Sequence, residues 1–507
     1  MKKLIKLLTG RLFITSLSIL IQLIILFIIF FNLSTYSVYI YMSMVLLSFF
    51  LVLTIVGDDS NPTFKVAWII PMLIFPFFGW VLYFMFGRRK ITTKAKERYF
   101  KIHISTKNLI KQDENVLKEI SEQSNSAFRQ CHYIIKSAQT NIFKNTETEF
   151  FKTGEAFFEI YKQELRKAEK FIFLEYFIIG EGKMWNEIKQ ILAEKAKSGV
   201  DVRVMYDDLG TINLLEKGYE EKLKKLGIKV SIFNTFKPSL DAFMNYRDHR
   251  KITVIDGNVG FTGGLNLADE YINEYKRFGH WKDCALMIKG DAVSRLSIMF
   301  LQLWNYSTHK NTEYLPYFST KKYENDGYII PFGDGPMSGH LTGKLAYINM
   351  INNAKKYVYI STPYLVLDNE MITALTLAQQ SGVDVKIITP YIPDKWYVHT
   401  VTRSNYPVLV QSGIRIFEYE PGFIHSKTII ADDEIGIVGT TNFDFRSFYL
   451  HFENGVFMYK SKAIAQVKSD YEEMLKICKE ITPEMCCNIS KLKQFAWSFM
   501  KLFSPFL

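Results

Sequence analysis

The stretch His249-Arg250-Lys251-Ile252-Thr253-Val254-Ile255-Asp256, continued through Gly260 and Gly263 to Asn266, decides how the rest of the 507-residue chain is read. It has a second copy. From His425 the sequence runs His-Ser-Lys427-Thr-Ile-Ile-Ala-Asp432, then Gly436, Gly439 and Asn442. Each of these six residues stands 176 positions after its counterpart, His425 after His249 and Asn442 after Asn266. A lone His-x-Lys carries little information, but six matched residues at one spacing indicate an internal duplication. The segment Ser198-Gly-Val-Asp-Val, repeated from Ser381, points the same way.

Around each copy the pattern alternates between strand and helix. Residues 170–179 read as a buried strand, 184–197 as a helix and 200–206 as the next strand; 356–364, 369–380 and 383–389 repeat that order. Repeating strand–helix–strand units imply α/β layers around a largely parallel sheet. Alternation along a strand would put the His and Lys of each His-x-Lys on one face.

Those residue types suit phosphoryl transfer. A phosphodiester under attack gathers negative charge on its non-bridging oxygens, and preorganised donors stabilise it. Lys251 and Lys427 would supply ammonium groups, and Asn266 and Asn442 amide donors that bind phosphate. Gly263 and Gly439 would let backbone come close to the ligand. Two imidazoles flanking one phosphorus can divide the labour, one attacking while the other protonates the leaving alcohol.

At these positions the chain resembles the phospholipase D superfamily, whose signature is His-x-Lys-x4-Asp followed by Gly-x-x-Asn. Within it the resemblance is to the bacterial cardiolipin synthases. The resemblance implies two α/β/α sandwich halves, a phosphohistidine intermediate, and no metal or other cofactor. It places His249, Lys251, His425 and Lys427 in the chemistry, with Asp256 and Asp432 among the catalytic motif residues in a supporting role. It favours His249 as the nucleophile. Glu453, 28 residues beyond His425, has the spacing of a superfamily Glu that orients the imidazole. Arg277 stands at that distance from His249; Trp281-Lys282-Asp283 resembles the family's Trp-Arg-Asp, and that resemblance makes Asp283 the expected partner of His249. Asp444-x-Arg446-Ser447 also fits the family pattern, whereas His451 stands where the family has Asn. Thr362-Pro363-Tyr364, with Glu175-Tyr176 in the comparable place, is expected at the mouth of the site. The implied reaction joins two phosphatidylglycerol molecules into cardiolipin and glycerol. Hydrolysis to phosphatidic acid is the alternative, and a membrane-tethered nuclease a more distant one.

Composition bounds the partner. A net charge of +11 favours anionic lipid or nucleic acid, and the membrane-length runs favour lipid, so no nucleic-acid partner is expected. Residues 12–31, 36–56 and 66–86 are uncharged and mostly apolar, each long enough to span a bilayer. Basic clusters (Lys2, Lys3, Lys6 and Arg11; Arg88, Arg89, Lys90, Lys94 and Lys96) flank the three runs. Three crossings would put these clusters on opposite sides, which leaves two or three helices open and the catalytic body expected in the cytoplasm. The five cysteines form no CxxC, so no disulfide framework or zinc site is expected. The expected organisation is an N-terminal membrane anchor (1–90), a charged, solvated helical connector (91–145), the first half (146–325), the second half (326–485) and an amphipathic tail (486–507). Leu492, Phe495, Phe499 and Leu502 fall on one helical face of that tail, beside basic residues, as in a helix lying among lipid headgroups. Oligomeric state is not legible.

Overall fold

A computed structural model of the chain describes residues 20, 23–24, 27–28, 37–74, 79–80, 83, 87, 93–235 and 245–507. They fall in two compact units, one of the described residues up to 87 and the other of those from 93 onward. In the first unit, helices Ser37–Val56 and Pro62–Ile74 pack together. Among the described residues no helix is long and apolar enough to cross a membrane. The apolar run 12–31 and parts of 66–86 lie largely outside the described residues.

The second unit is mixed α/β and built twice. Strands β1 (Thr146–Phe151), β2 (Phe171–Tyr176), β3 (Asp201–Asp207), β4 (Lys229–Phe233), β5 (Lys251–Ile255), β6 (Val259–Gly263), β7 (His280–Lys282) and β8 (Ala285–Gly290) belong to the first half. The second half holds β9 (Tyr328–Asp334), β10 (Tyr357–Ser361), β11 (Asp384–Pro390), β12 (Arg415–Tyr419), β13 (Gly422–Ile424), β14 (Thr428–Ala431), β15 (Ile435–Gly439), β16 (Glu453–Tyr459) and β17 (Cys478–Ile481). The sheets run β1-β8-β6-β5-β2-β3-β4 and β9-β16-β15-β14-β10-β11-β12-β17. The two orders are one topology, with β17 added. Within these two sheets parallel pairing is confined to β2-β3-β4 and β10-β11-β12, so the expected largely parallel sheet is corrected to a mixed one. The motif hairpins β5–β6 and β14–β15 belong to the antiparallel part.

Each sheet is covered on both faces, which is why its central strands are buried along almost their whole length. Helices Gly154–Arg166 and Lys183–Lys197 cover one face of the first sheet; from the other, Phe300 of helix Val293–Thr308 stacks on Phe173 at 4.5 Å. In the second half Tyr471 of helix Lys462–Leu475 stacks on Tyr359 at 4.9 Å, the corresponding contact. Part of the segment expected to be a solvated connector is core instead. Val116 and Ile120 of helix Glu114–Gln123, with Ala127, Cys131 and Ile134 of helix Asn125–Ala138, are buried in the core of the second half. Their four- and three-residue spacing forms an apolar stripe that the surrounding charge obscures.

Candidate active site

The motif aspartates turn the hairpins. Asp256 and Asp432 adopt left-handed backbone (φ 53° and 58°) at the ends of β5 and β14, a conformation Asp tolerates better than most residues. The Asp256 carboxylate accepts the backbone N–H groups of Glu169, Lys170 and Phe171, each at 2.8 Å. Asp432 takes those of Lys355, Lys356 and Tyr357 at 2.7–3.0 Å. Both carboxylates are therefore committed to the start of the neighbouring strand, β2 or β10. Grouped with the catalytic residues by their motif, they are braces by their contacts.

Lys251 heads β5, and its ammonium donates to the carbonyl of His249 at 2.6 Å; Lys427 makes the same bond to His425. All four residues are buried. Each His sits on an extended approach that pairs with the opposite half. β13, just before His425, lies parallel to β7, just before Asp283, and His425 N–H donates to Lys282 O at 2.7 Å. Asp248 likewise bridges Phe452, and His249 N–H donates to Phe452 O at 2.9 Å.

This pairing crosses the two imidazoles over. His249 Nδ1 lies 3.0 Å from both carboxylate oxygens of Glu453, and His425 Nδ1 lies 2.6 Å from Asp283 Oδ2. The expected assignment, Asp283 to His249 within the first half, is thus corrected. Sheet register shows why. Gly263 is opposite Ala285 and Gly439 opposite Gly455, so Asp283 and Glu453 are equivalent positions two residues earlier. The loop from Asn266 to Asp283 is six residues longer than that from Asn442 to Glu453, which hid the equivalence.

Glu453 also accepts from Ser447 Oγ at 2.7 Å and from Thr440 Oγ1. Asp283 accepts the N–H of Cys284 at 2.8 Å. With Nδ1 occupied on each ring, Nε2 is the nitrogen left for chemistry.

One electrostatic field covers both rings. Burial, then the charges of Lys251, Lys427, His425 and Lys395, push His249 well below the usual imidazole range. Burial, then Lys427, Lys251 and Lys395, do the same to His425. Burial lowers Lys251 to about 7 and Lys427 to about 8, and raises Asp283 to about 7. These directions all resist isolated charge and favour neutral imidazoles, inside a ring of potential cations that an anion would complete.

The remaining candidates divide. Asn266 accepts from Ile178 N–H at 3.0 Å and donates to Tyr271 Oη at 2.7 Å; Asn442 donates to Asp444 at 3.1 Å. Each Asn Nδ2 thus has one of its two hydrogens engaged internally. Gly263 and Gly439 face neighbouring strands rather than a ligand: an added Cβ would meet Cys284 O or Asn454 O at 2.5 Å. Glu175 is not at a mouth but fully buried, paired with Arg250 at 2.6 Å, while Tyr364 donates to Asp394 at 2.5 Å. Of the other histidines, His280 bonds Tyr419 Oη at 2.9 Å, and His399 is partly buried in helix Trp396–Gln411.

Sequence reasoning missed Lys395 and the closeness of His451, whose ring centre is 5.5 Å from that of His249. At the 183-residue spacing of the preceding strands β3 and β11 the counterpart of Lys395 is Ile212, so the repeat carried no signal. Among the described residues His249, His451 and Glu453 place three ligand atoms within 4.8 Å of one another, a group that could hold a metal ion only by giving up the His249–Glu453 bond.

The chain matches the family described as "Cardiolipin synthase, PLD-like domain" over residues 161–304 and 347–475. It also matches "Phospholipase D-nuclease N-terminal" over 46–88. It is 36% identical over 470 residues to a cardiolipin synthase of Alkalihalophilus pseudofirmus, covering 90% of this chain and 92% of that one. An uncharacterised Streptococcus mutans protein is 42% identical over 444 residues, covering 85% and 94%. In fold, the chain is similar to the crystal structure of a Haemophilus influenzae phosphatidylserine synthase (TM-score 0.55, 17% identity, 71% of this chain and 95% of that one). With the family matched over both halves and its relatives aligned almost end to end, this chain belongs to the phospholipase D-like cardiolipin synthase family.

Proposed function

We propose that the protein transfers a phosphatidyl group from one phosphatidylglycerol to another, releasing glycerol and forming cardiolipin. The observation that carries this reading is the crossed pair of imidazoles, each oriented through Nδ1 by a carboxylate of the opposite half. Nε2 of one histidine, His249 by family preference, attacks phosphorus and forms an N–P bond. The P–O bond to glycerol breaks, and the other histidine, protonated as the anionic substrate enters, gives its proton to the departing alkoxide. That histidine then takes the proton of the second lipid's hydroxyl, whose oxygen displaces the imidazole. Lys251 and Lys427 offset the charge on the non-bridging oxygens, aided by the free amide hydrogens of Asn266 and Asn442. One phosphodiester replaces another, so neither nucleotide nor metal enters the balance.

The substrate requires a lipid phase, and the N-terminal unit supports membrane attachment. Helix Ser37–Val56 leaves Val38, Met42, Leu46, Phe50 and Leu53 exposed, a surface unsuited to water. The proposed location is a bacterial cell membrane, with two or three N-terminal helices in the bilayer and the catalytic body in the cytoplasm.

The test is the purified full chain in vesicles whose only lipid is phosphatidylglycerol, followed by mass spectrometry. Cardiolipin and glycerol are expected in equal amounts. Phosphatidic acid without cardiolipin would replace transfer with hydrolysis.

A further inference from the structure

Residues 485–507 contain Lys491, Lys493 and Lys501 but no acidic residue. Ser490 caps the helix Lys491–Leu502 through the N–H of Lys493. This helix packs against helix Trp396–Gln411, with Trp497, Met500 and Lys501 partly buried. The face it turns outward is its apolar one. Leu492, Phe495 and Phe499 are 80%, 72% and 57% exposed. An isolated surface Leu would need no explanation, but three large apolar side chains in one helical stripe do.

Two structural links join this segment to the catalytic pair. The helix it packs on begins beside Lys395, whose charge bears on both histidines. The chain end folds onto helix Phe445–Tyr449, where Arg446 donates to Phe506 O at 2.8 Å. The next residue, Ser447, donates to Glu453, the carboxylate that holds His249.

We propose that the Leu492–Phe495–Phe499 stripe docks on an anionic phospholipid bilayer, and that the Arg446–Phe506 bond ties this docking to the alignment of Glu453 and His249. The occupant follows from charge: an apolar stripe flanked by lysines, on a segment without acids, fits lipid tails below anionic headgroups. The proposal rests on the phosphatidyl-transfer reading for its substrate, though not for the docking surface.

Hydrogen exchange over residues 491–502 of the full chain, in nanodiscs of phosphatidylglycerol or of zwitterionic phosphatidylcholine, tests the surface. Protection is expected in the anionic discs and is much weaker in the zwitterionic ones. Equal exchange in both would overturn the proposal, as would protection that depends only on protein concentration, which marks a contact between copies. A Leu492→Gln/Phe495→Gln/Phe499→Gln variant tests the link. Its turnover of vesicle phosphatidylglycerol should fall at least about tenfold. Its turnover of a dispersed short-chain phosphatidylglycerol should stay within about twofold of the parent. Equal losses on both substrates would overturn the docking role. If the parent protein forms no cardiolipin from either substrate, the transfer reading fails, while the exchange data still decide the surface.

Discussion

His425 Nδ1 lies 2.6 Å from Asp283 Oδ2, and the two residues belong to different halves of the duplication. Neither half can therefore orient its own histidine. A carboxylate on Nδ1 fixes the tautomer and stabilises the imidazolium, and losing it in other His–carboxylate pairs costs up to about 10⁴ in kcat. Asp283→Asn and Glu453→Gln should each lower kcat by about 10² to 10⁴. The crossing is separable by nitrogen NMR of labelled histidine: Asp283→Asn should shift the Nδ1 signal of His425 and spare His249. The reverse pattern would restore the within-half assignment.

Asp256 and Asp432 should behave as braces. Each carboxylate holds three backbone N–H groups at the start of a neighbouring strand. Replacing either by Ala leaves those donors without their partner, at about 2–3 kcal/mol. Thermal unfolding should shift downward, while kcat per folded molecule stays within about tenfold. A loss as large as that for Asp283→Asn, at unchanged stability, would move these residues into the chemistry.

The contrast between these carboxylates shows what a sequence can carry. The duplication was legible because His, Lys, Asp, Gly and Asn recur at one spacing, and β5–β6 and β14–β15 preserve that spacing as hairpins. Asp283 and Glu453 were legible as acids near the site but not as partners, since pairing across the halves is set by β7–β13 and the Asp248–Phe452 bridge. Those pairings join segments about 140 to 200 residues apart and leave no local pattern. Helices Glu114–Gln123 and Asn125–Ala138 failed differently: their charge was counted, and the buried stripe through Val116, Ile120, Cys131 and Ile134 was not. Lys395 has no repeat partner, so nothing in one chain marked it.

Burial lowers Lys251 to about 7 and Lys427 to about 8. At pH 8 each is partly neutral in the free protein. An anionic phosphodiester between them favours the charged form, so binding should take up protons. The sign follows directly: as pH rises through 7 to 8, more ammonium must be restored on binding, and kcat/KM should fall. Calorimetry of a phosphodiester ligand at pH 8, in two buffers of different ionisation heat, measures the uptake. Binding with no net proton exchange would mean that both lysines are already charged and that neither histidine gains a proton as the ligand enters.

Gly264 is the last constraint, and the duplication itself explains it. Its counterpart 176 residues on is Thr440, whose hydroxyl donates to Glu453. In the first half there is no room for that side chain. A Cβ on Gly264 would lie 2.1 Å from Asp283 Oδ1 and 2.9 Å from the His425 carbonyl. Asp283 would have to leave, or the His425 backbone would have to shift, and a displacement near 1 Å at such a site costs about 10² in rate. Gly264→Ala should therefore lower kcat about 100-fold or more. Gly199, with φ +95° and nothing near its Cβ position, is the control. Gly199→Ala strains the backbone by about 1–2 kcal/mol but lies in a turn after helix Lys183–Lys197, so it should lower stability and spare kcat. Thr440→Gly removes one donor from Glu453 and creates no clash, so its effect should be smaller, about tenfold. Comparing kcat with thermal midpoint across the three variants separates displacement of the Asp283–His425 pair from general loosening. If Gly264→Ala and Gly199→Ala lost activity only in proportion to stability, the close approach at Gly264 would be packing alone.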